Sequence, residues 1–219
     1  KIRMEDIMMN IEFLQKYVMT GMWETEDLRS YKTDLLLRAQ QEQKKFKPLT
    51  KEMYSGNKIQ IIDFFCGAGG TSLGFATVNN IIPIFDFLGG CDINKFSAES
   101  YAHNFDTPVI NRDIIELAED KEELIKVLDT IGYDKMKPTI LIGCAPCQGF
   151  TSHRKKHWNE EDDHRNNLVN VFADIVSFIQ PIAFIMENVP EFLSNRYWKY
   201  FYAAKNRYEQ EGYIENCAY

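Results

Sequence analysis

The sequence contains no apolar run of membrane-span length and opens on no secretory signal pattern, so neither a bilayer-crossing helix nor a secretion leader is expected. Cysteine is scarce: five residues, an odd number at irregular spacing. That argues against a disulfide framework and for a reducing setting, cytoplasmic in a bacterium or nuclear in a eukaryote. Positive charge is not in excess. The net charge of −7 argues against a whole-surface nucleic-acid binder, while leaving room for a local basic groove. Internal repeats and low-complexity tracts are absent too. What is present is core-forming material: 219 residues, 45% hydrophobic and 13% aromatic, enough for one sizeable domain or one and a half.

Residues 1–56 read as a helical extension. Ile7, Ile11, Leu14 and Val18 recur at helical spacing, and Leu28, Tyr31, Leu35 and Ala39 form a second stripe before Pro48. This extension is either packing material or a small DNA- or partner-binding module. From residue 57 to 219 strands alternate with helices, which predicts a mostly parallel, doubly wound α/β sheet. Strands are expected over Ile59–Phe65, Ile82–Phe87, Val109–Ile110, Ile140–Ile142 and Ile182–Met186, with another from about Tyr213. Helices are expected from Thr71, over Lys95–Asn104 with Phe96, Ser100 and His103 in register, and over Glu119–Ile131 with Leu124, Val127, Leu128 and Ile131 inward. Further helices are expected over Leu168–Ile179 and about Tyr197–Gln210, with a polar loop from His153 to Asn166.

The chain is organised around Ile140-Leu141-Ile142-Gly143-Cys144-Ala145-Pro146-Cys147-Gln148-Gly149-Phe150-Thr151-Ser152. Here an apolar strand breaks into a turn carrying thiols and hydroxyls, at the strand end where open α/β sheets place their chemistry. Cys144-x-x-Cys147 admits several readings. Half of a zinc site lacks a second Cys/His pair at ligand spacing, and no metal is expected. A redox pair fits the strand-to-loop position. A single nucleophile at Cys147, held by Pro146 with Cys144 as a small core residue, fits it as well. A merely structural loop remains the bland alternative.

Two other strand ends bear on the choice. Cys66-Gly67-Ala68-Gly69-Gly70 gives a tight turn into a helix whose free N–H groups can receive an anion. It is not a full dinucleotide fingerprint, because Ser72 fills the third glycine position. Asp92, at the end of the next strand, can accept hydrogen bonds from ribose hydroxyls, and Asp113, after the third, from an adenine amino group. Polar strand ends in series favour an adenosine-containing ligand. Glu187-Asn188-Val189-Pro190 ends a later strand. If that strand neighbours the thiol loop, Glu187 is placed as a proton donor, and burial there would suit the role.

These residues together resemble the cytosine-5 DNA methyltransferases. Asp63-Phe64-Phe65-Cys66-Gly67-Ala68-Gly69-Gly70 with Gly74-Phe75 is similar to the family's first motif. Gly90-Cys91-Asp92-Ile93-Asn94 with Tyr101 and Asn104-Phe105 is similar to the second, and Arg112-Asp113-Ile114 to the third. Pro146-Cys147-Gln148-Gly149-Phe150-Thr151-Ser152 is similar to the nucleophile motif, Arg165-Asn166-Asn167-Leu168 to the next, and Glu187-Asn188-Val189 to the last. The match covers about residues 59 to 190.

The resemblance implies a Rossmann-like S-adenosylmethionine-dependent methyltransferase, with the N-terminal helices as an extension. It implies S-adenosylmethionine at Phe65, Gly67, Ala68, Gly69, Gly70, Asp92, Ile93, Asp113, Ile114, Pro146 and Leu168. It implies Cys147 as nucleophile and Glu187 as proton donor toward a flipped cytosine, with Gln148, Ser152, Arg154, Arg165 and Asn188 binding the substrate, double-stranded DNA, whose phosphates the Arg154 loop could meet. Family members usually carry Glu where Asp92 stands, and Ile93 stands where a larger side chain is frequent. The loop after Cys147 joins basic His153-Arg154-Lys155-Lys156-His157 to acidic Glu160-Glu161-Asp162-Asp163, so its field is mixed. The family's Gln-x-Arg-x-Arg motif, target-recognition region and late cofactor helix have no counterpart before Tyr219. The expectation is therefore a catalytic domain incomplete at its C-terminus. Such a chain is a fragment, or one subunit of a split enzyme completed by a second chain, with weak methyl transfer alone. The competing readings are a transfer-RNA cytosine-5 methyltransferase and a non-catalytic regulatory module of the same fold. Restriction-modification is the setting the resemblance implies.

Overall fold

The computed structural model describes residues 58–80, 82–146, 167–189, 192 and 197–214. The expected helical extension over 1–56 and the polar loop over 153–166 lie outside the described residues. Five strands form one parallel sheet: β1 (Ile59–Phe64), β2 (Phe85–Asp92), β3 (Val109–Asn111), β4 (Thr139–Gly143) and β5 (Ala183–Met186), in the order β3-β2-β1-β4-β5. The helices are α1 (Gly70–Asn79), α2 (Lys95–Phe105), α3 (Ile114–Glu119), α4 (Lys121–Thr130), α5 (Leu168–Ile179) and α6 (Trp198–Gln210). Among the described residues no helix is long and apolar enough to cross a membrane.

β1 lies at the centre, and its residues after Ile59 are all buried, which is why it reads as a nearly continuous apolar run. Successive side chains of a strand face opposite sides. Asp63 meets Ser72 of α1, while Phe64 packs on Phe172 of α5 at 6.2 Å between ring centres. Thus α1 and α2 cover one face, and α5, with α3 and α6 packed beside it, covers the other. The strand order reverses at β1, between β2 and β4. That is the point at which an open α/β sheet leaves a crevice at its carboxyl ends.

The register between β1 and β2 slips once. Ile61 pairs with Phe87, but Ile62 pairs with Gly89, so Leu88 is an extra residue. Phe87 packs on Phe105 of α2, whereas Leu88 belongs to the core on the α5 face.

Several expectations need correction. The second strand begins at Phe85, not Ile82. Ile82 and Ile84 are buried, but Pro83 between them has no N–H for a ladder, so their apolarity marks core rather than strand. The helix expected over Glu119–Ile131 is α4, which begins after Asp120, whose carboxylate caps it by accepting from the Glu122 and Glu123 amides at 3.0 Å; the short helix α3 before it was not expected. In α2 the buried face is Ala98, Tyr101 and Ala102. Phe96, Ser100 and His103 are exposed, Phe96 by 77%. Tyr213 caps the end of α6 through its amide on the Tyr208 carbonyl and is not in a strand. The residues after 214 lie outside the described residues.

Candidate active site

Among the described residues, Asp92, Asp113 and Glu187 lie at or just after the carboxyl ends of β2, β3 and β5. β1 ends in Phe65, which takes a left-handed backbone at φ 59° and is half-buried. Such a conformation is uncommon outside glycine and often marks a functional site. The glycine loop follows, closed by the Gly69 amide on the Cys66 carbonyl at 2.8 Å. Gly69 sits at φ 95°, and a Cβ there would lie 2.1 Å from the Phe105 ring, so only glycine fits this turn. α1 starts with no side-chain cap, leaving its first amides for another acceptor.

Asp92 braces this loop. Its Oδ2 accepts from the Gly67 amide at 3.0 Å and its Oδ1 from the Asn94 amide at 2.8 Å. Asn94 in turn caps α2 through the Phe96 and Ser97 amides. Asn111, at the end of β3, donates to the carbonyls of Asp92 and Ile93 at 2.9 and 2.8 Å. Ile93 is 69% exposed at the rim. Asp113 caps α3, accepting from the Ile115 amide at 2.9 Å. Ile114 and Leu168, both expected at a ligand, lie in the hydrophobic core.

β4 and β5 pair in register, Gly143 opposite Met186, so Cys144 and Glu187 follow on neighbouring strand ends. The Asn188 amide donates to the Ala145 carbonyl at 3.3 Å, tying the two ends together beside half-buried Pro146. The adjacency expected of Glu187 and the thiol loop is therefore present. Glu187 itself is exposed, so the described residues do not supply the burial expected for it. Cys144 is only partly buried, and its Sγ lies 3.1 Å from Thr71 Oγ1. It links β4 to α1 rather than filling core. Burial pushes its thiol up, with the Thr71 hydrogen bond acting against it. Cys147, Gln148, Ser152, Arg154 and Arg165 lie outside the described residues.

Sequence reasoning gave no role to the residues that hold the loop from beneath. Ser72, at the place of a third glycine, donates to Asp63 Oδ2 at 2.6 Å and lies 3.0 Å from the Tyr101 hydroxyl. Asn104 donates to the Ala68 carbonyl at 2.9 Å. The visible signal was Asp63, a charge inside an apolar strand. Burial pushes its carboxyl up to about 6, the Ser72 hydrogen bond acts against this, and the Asp92 charge adds to it. Burial also drives the Cys66 thiol far up and the Cys91 thiol to about 12, which keeps both protonated and unreactive.

A five-stranded parallel sheet in this order, with a glycine loop at its switch point and acids on the flanking strand ends, defines a Rossmann-like fold of the methyltransferase type. The pattern of the C-5 cytosine-specific DNA methylase family matches residues 59–217. The chain is similar to the Type II methyltransferase M1.HphI of Haemophilus parahaemolyticus, at 32% identity over 170 residues, which cover 77% of this chain and 42% of that protein. It is also similar to the Type II methyltransferase M.HgiGI of Herpetosiphon aurantiacus, at 34% identity over 131 residues, covering 60% of this chain and 90% of that one. Among solved structures it resembles a candidate DNA modification methyltransferase encoded within an E. coli prophage. The TM-score is 0.54 at 30% identity, over 70% of this chain and 38% of the other. The chain belongs to the C-5 cytosine-specific DNA methylase family. It spans less than half the length of M1.HphI.

Proposed function

We propose that this chain is the cofactor-binding and catalytic part of a DNA cytosine-5-methyltransferase acting on a cytosine turned out of duplex DNA. The observation that carries the reading is that β1 lies between β2 and β4. A methyl donor held by the glycine loop and Asp92 is thereby brought beside the strand end that leads to Cys147. Such a transfer needs donor and nucleophile side by side.

The residues fit S-adenosylmethionine as that donor. The uncapped first amides of α1 suit its carboxylate. Gly67 and Gly70 leave open space where side chains would stand. Asp92 keeps acceptor capacity for ribose hydroxyls, since each carboxylate oxygen can take more than one donor. Asp113 serves the adenine amino group, with Phe65 and Ile93 against the ring. When bound, S-adenosylmethionine supplies a methyl group made electrophilic by its sulfonium charge.

The chain's own residues prepare the base. Cytosine C5 is a poor nucleophile until the Cys147 thiolate adds to C6, forming an S–C6 bond and leaving C5 enamine-like. Glu187 holds a proton at N3, where negative charge develops. Its exposed carboxyl would become buried against the inserted base, which must leave the stack to reach it. Gln148, Ser152 and Asn188 line the base side, while Arg154 and Arg165 meet DNA phosphates. Loss of the C5 proton with departure of Cys147 restores the ring.

A mechanism-based trap tests this reading. A duplex carrying 5-fluorocytosine, with S-adenosylmethionine, should give a covalent adduct with the full-length protein and none with Cys147→Ser. An adduct that persists in Cys147→Ser removes the proposed nucleophile. Labelled methyl appearing in transfer RNA and not in DNA would move the reading to the RNA-acting branch.

A further inference from the structure

Beneath the glycine loop runs a polar chain with no part in the chemistry above. Asp63 is 1% exposed and Ser72 and Tyr101 are fully buried. A carboxylate only accepts hydrogen bonds, so Ser72 must donate to Asp63, leaving its own oxygen to accept from the Tyr101 hydroxyl. The run Tyr101 to Ser72 to Asp63 therefore has one direction while Asp63 is charged. A protonated Asp63 can itself donate, and the direction is lost. Asp63 Oδ1 is buried and has no partner among the described residues. The groups around the carboxyl are Ser72 of α1, Tyr101 of α2, Asp92 of β2, Cys66 after β1 and Cys144 after β4. None is a cation, so a charge is kept here at a cost in stability that an apolar pair would avoid.

The loop hangs on the same elements. Ser72 lies in the first turn of α1, whose leading amides face the crevice. Tyr101 is seated on Gly90, where a Cβ would come within 2.5 Å of its ring, and Asn104 and Phe105 of the next turn touch Ala68 and Gly69. Holding Ser72 to Tyr101 thus sets the first turn of α1 against α2.

We propose that Asp63, as a buried carboxylate, is a positioning residue for the cofactor loop, acting through Ser72 and Tyr101 to aim the first-turn amides of α1 at the carboxylate of the methyl donor. The inference rests on the cofactor reading given above.

Binding of S-adenosylhomocysteine, which shares that carboxylate, tests it by calorimetry on the complete chain between about pH 5 and about pH 8, across the range where a perturbed carboxyl titrates. Wild-type affinity is expected to fall as the pH drops through this range. Asp63→Asn, close in shape and neutral, is expected to bind about tenfold more weakly at pH 8, a loss on the scale of one charge-assisted hydrogen bond, with a flat pH profile. Ser72→Ala should bind as weakly, and the double variant no more weakly than either, because both break one chain. Ser72→Thr, which keeps the hydroxyl, should bind like wild type. Thermal melts followed by circular dichroism verify that each variant is folded. Wild-type affinity and pH profile in Asp63→Asn, or additive losses in the double variant, would overturn the proposal alone. No binding by wild type at any pH would overturn the cofactor reading and the proposal with it.

Discussion

On the face of the sheet covered by α1 and α2, directional hydrogen bonds between polar groups join ring packing in setting the geometry; on the face covered by α5, rings dominate. The first side joins Asp63, Ser72 and Tyr101 across β1, α1 and α2, and holds Asp92 of β2 on the Gly67 amide. The second stacks Phe64 on Phe172, Phe172 on Phe184, and Phe184 on Tyr208 and Tyr213, and every buried residue of α5 except its alanine is a large or branched apolar one. Ring packing resists unfolding but fixes a position only by volume. A hydrogen-bonded chain adds little net stability yet fixes direction. The side that must aim a loop at a ligand is the one that adds hydrogen bonds.

Variants can separate the two sides. The largest effect on stability is expected from Phe172→Ala, which removes a fully buried ring and should cost about 4 kcal/mol in urea unfolding. Its affinity for S-adenosylhomocysteine should stay near wild type, and parallel loss of both would mean that the sides are not separable. Asp63 comes next. Its folded carboxyl, pushed up from 3.8 to about 6, keeps a proton where the unfolded chain has lost it. Its contribution is therefore present below about pH 4 and lost as the pH rises to about 6, by about 3 kcal/mol. Asp63→Asn has no such titration, so its stability relative to wild type should improve by that amount from pH 4 to pH 7. A gap that stays constant would show that the carboxyl is not perturbed.

Gly69→Ala reverses the Phe172 pattern. With φ 95° and Phe105 in the way, it should cost about 2 kcal/mol and abolish ligand binding; retained binding would show that the loop need not hold this shape. The smallest effect is that of Asn104→Ala, which loses one exposed hydrogen bond to Ala68 and should cost about 0.5 kcal/mol. Its affinity should weaken only a few-fold, and a larger drop would place Asn104 beside Asp63 in importance.

The ring-packed side was legible in the sequence. The helix expected over Leu168–Ile179 is α5 with the same bounds, because its apolar residues are large and recur in phase. The strand ends were legible as well, since a parallel sheet brings its carboxyl ends to one edge. The face of α2 was not. Its buried set is two alanines and a tyrosine, and large Phe96 lies outside it, so periodicity pointed to the wrong side. Nor was the polar chain. Asp63 was conspicuous in its strand, but Ser72 is nine residues away from it and Tyr101 twenty-nine from Ser72. Only the closed sheet brings them together.

The slip at Leu88 bears on how such a chain can change length. Because strand side chains alternate, the extra residue reverses which side everything after it faces. Gly90 is thereby level with Asp63 and Cys91 with Phe64, which sends the Cys91 thiol into the core and leaves Asp92 to meet Gly67. Deleting Leu88 itself would restore a regular ladder and leave Gly90 and Cys91 facing as they do, whereas losing a residue after the slip would exchange them, driving a carboxylate into the apolar side and a thiol toward the loop. Insertions and deletions are cheap in the connections around this sheet. Within β2 a single-residue change is absorbed at the slip around Leu88, and beyond it each one reverses the faces that Cys91 and Asp92 present.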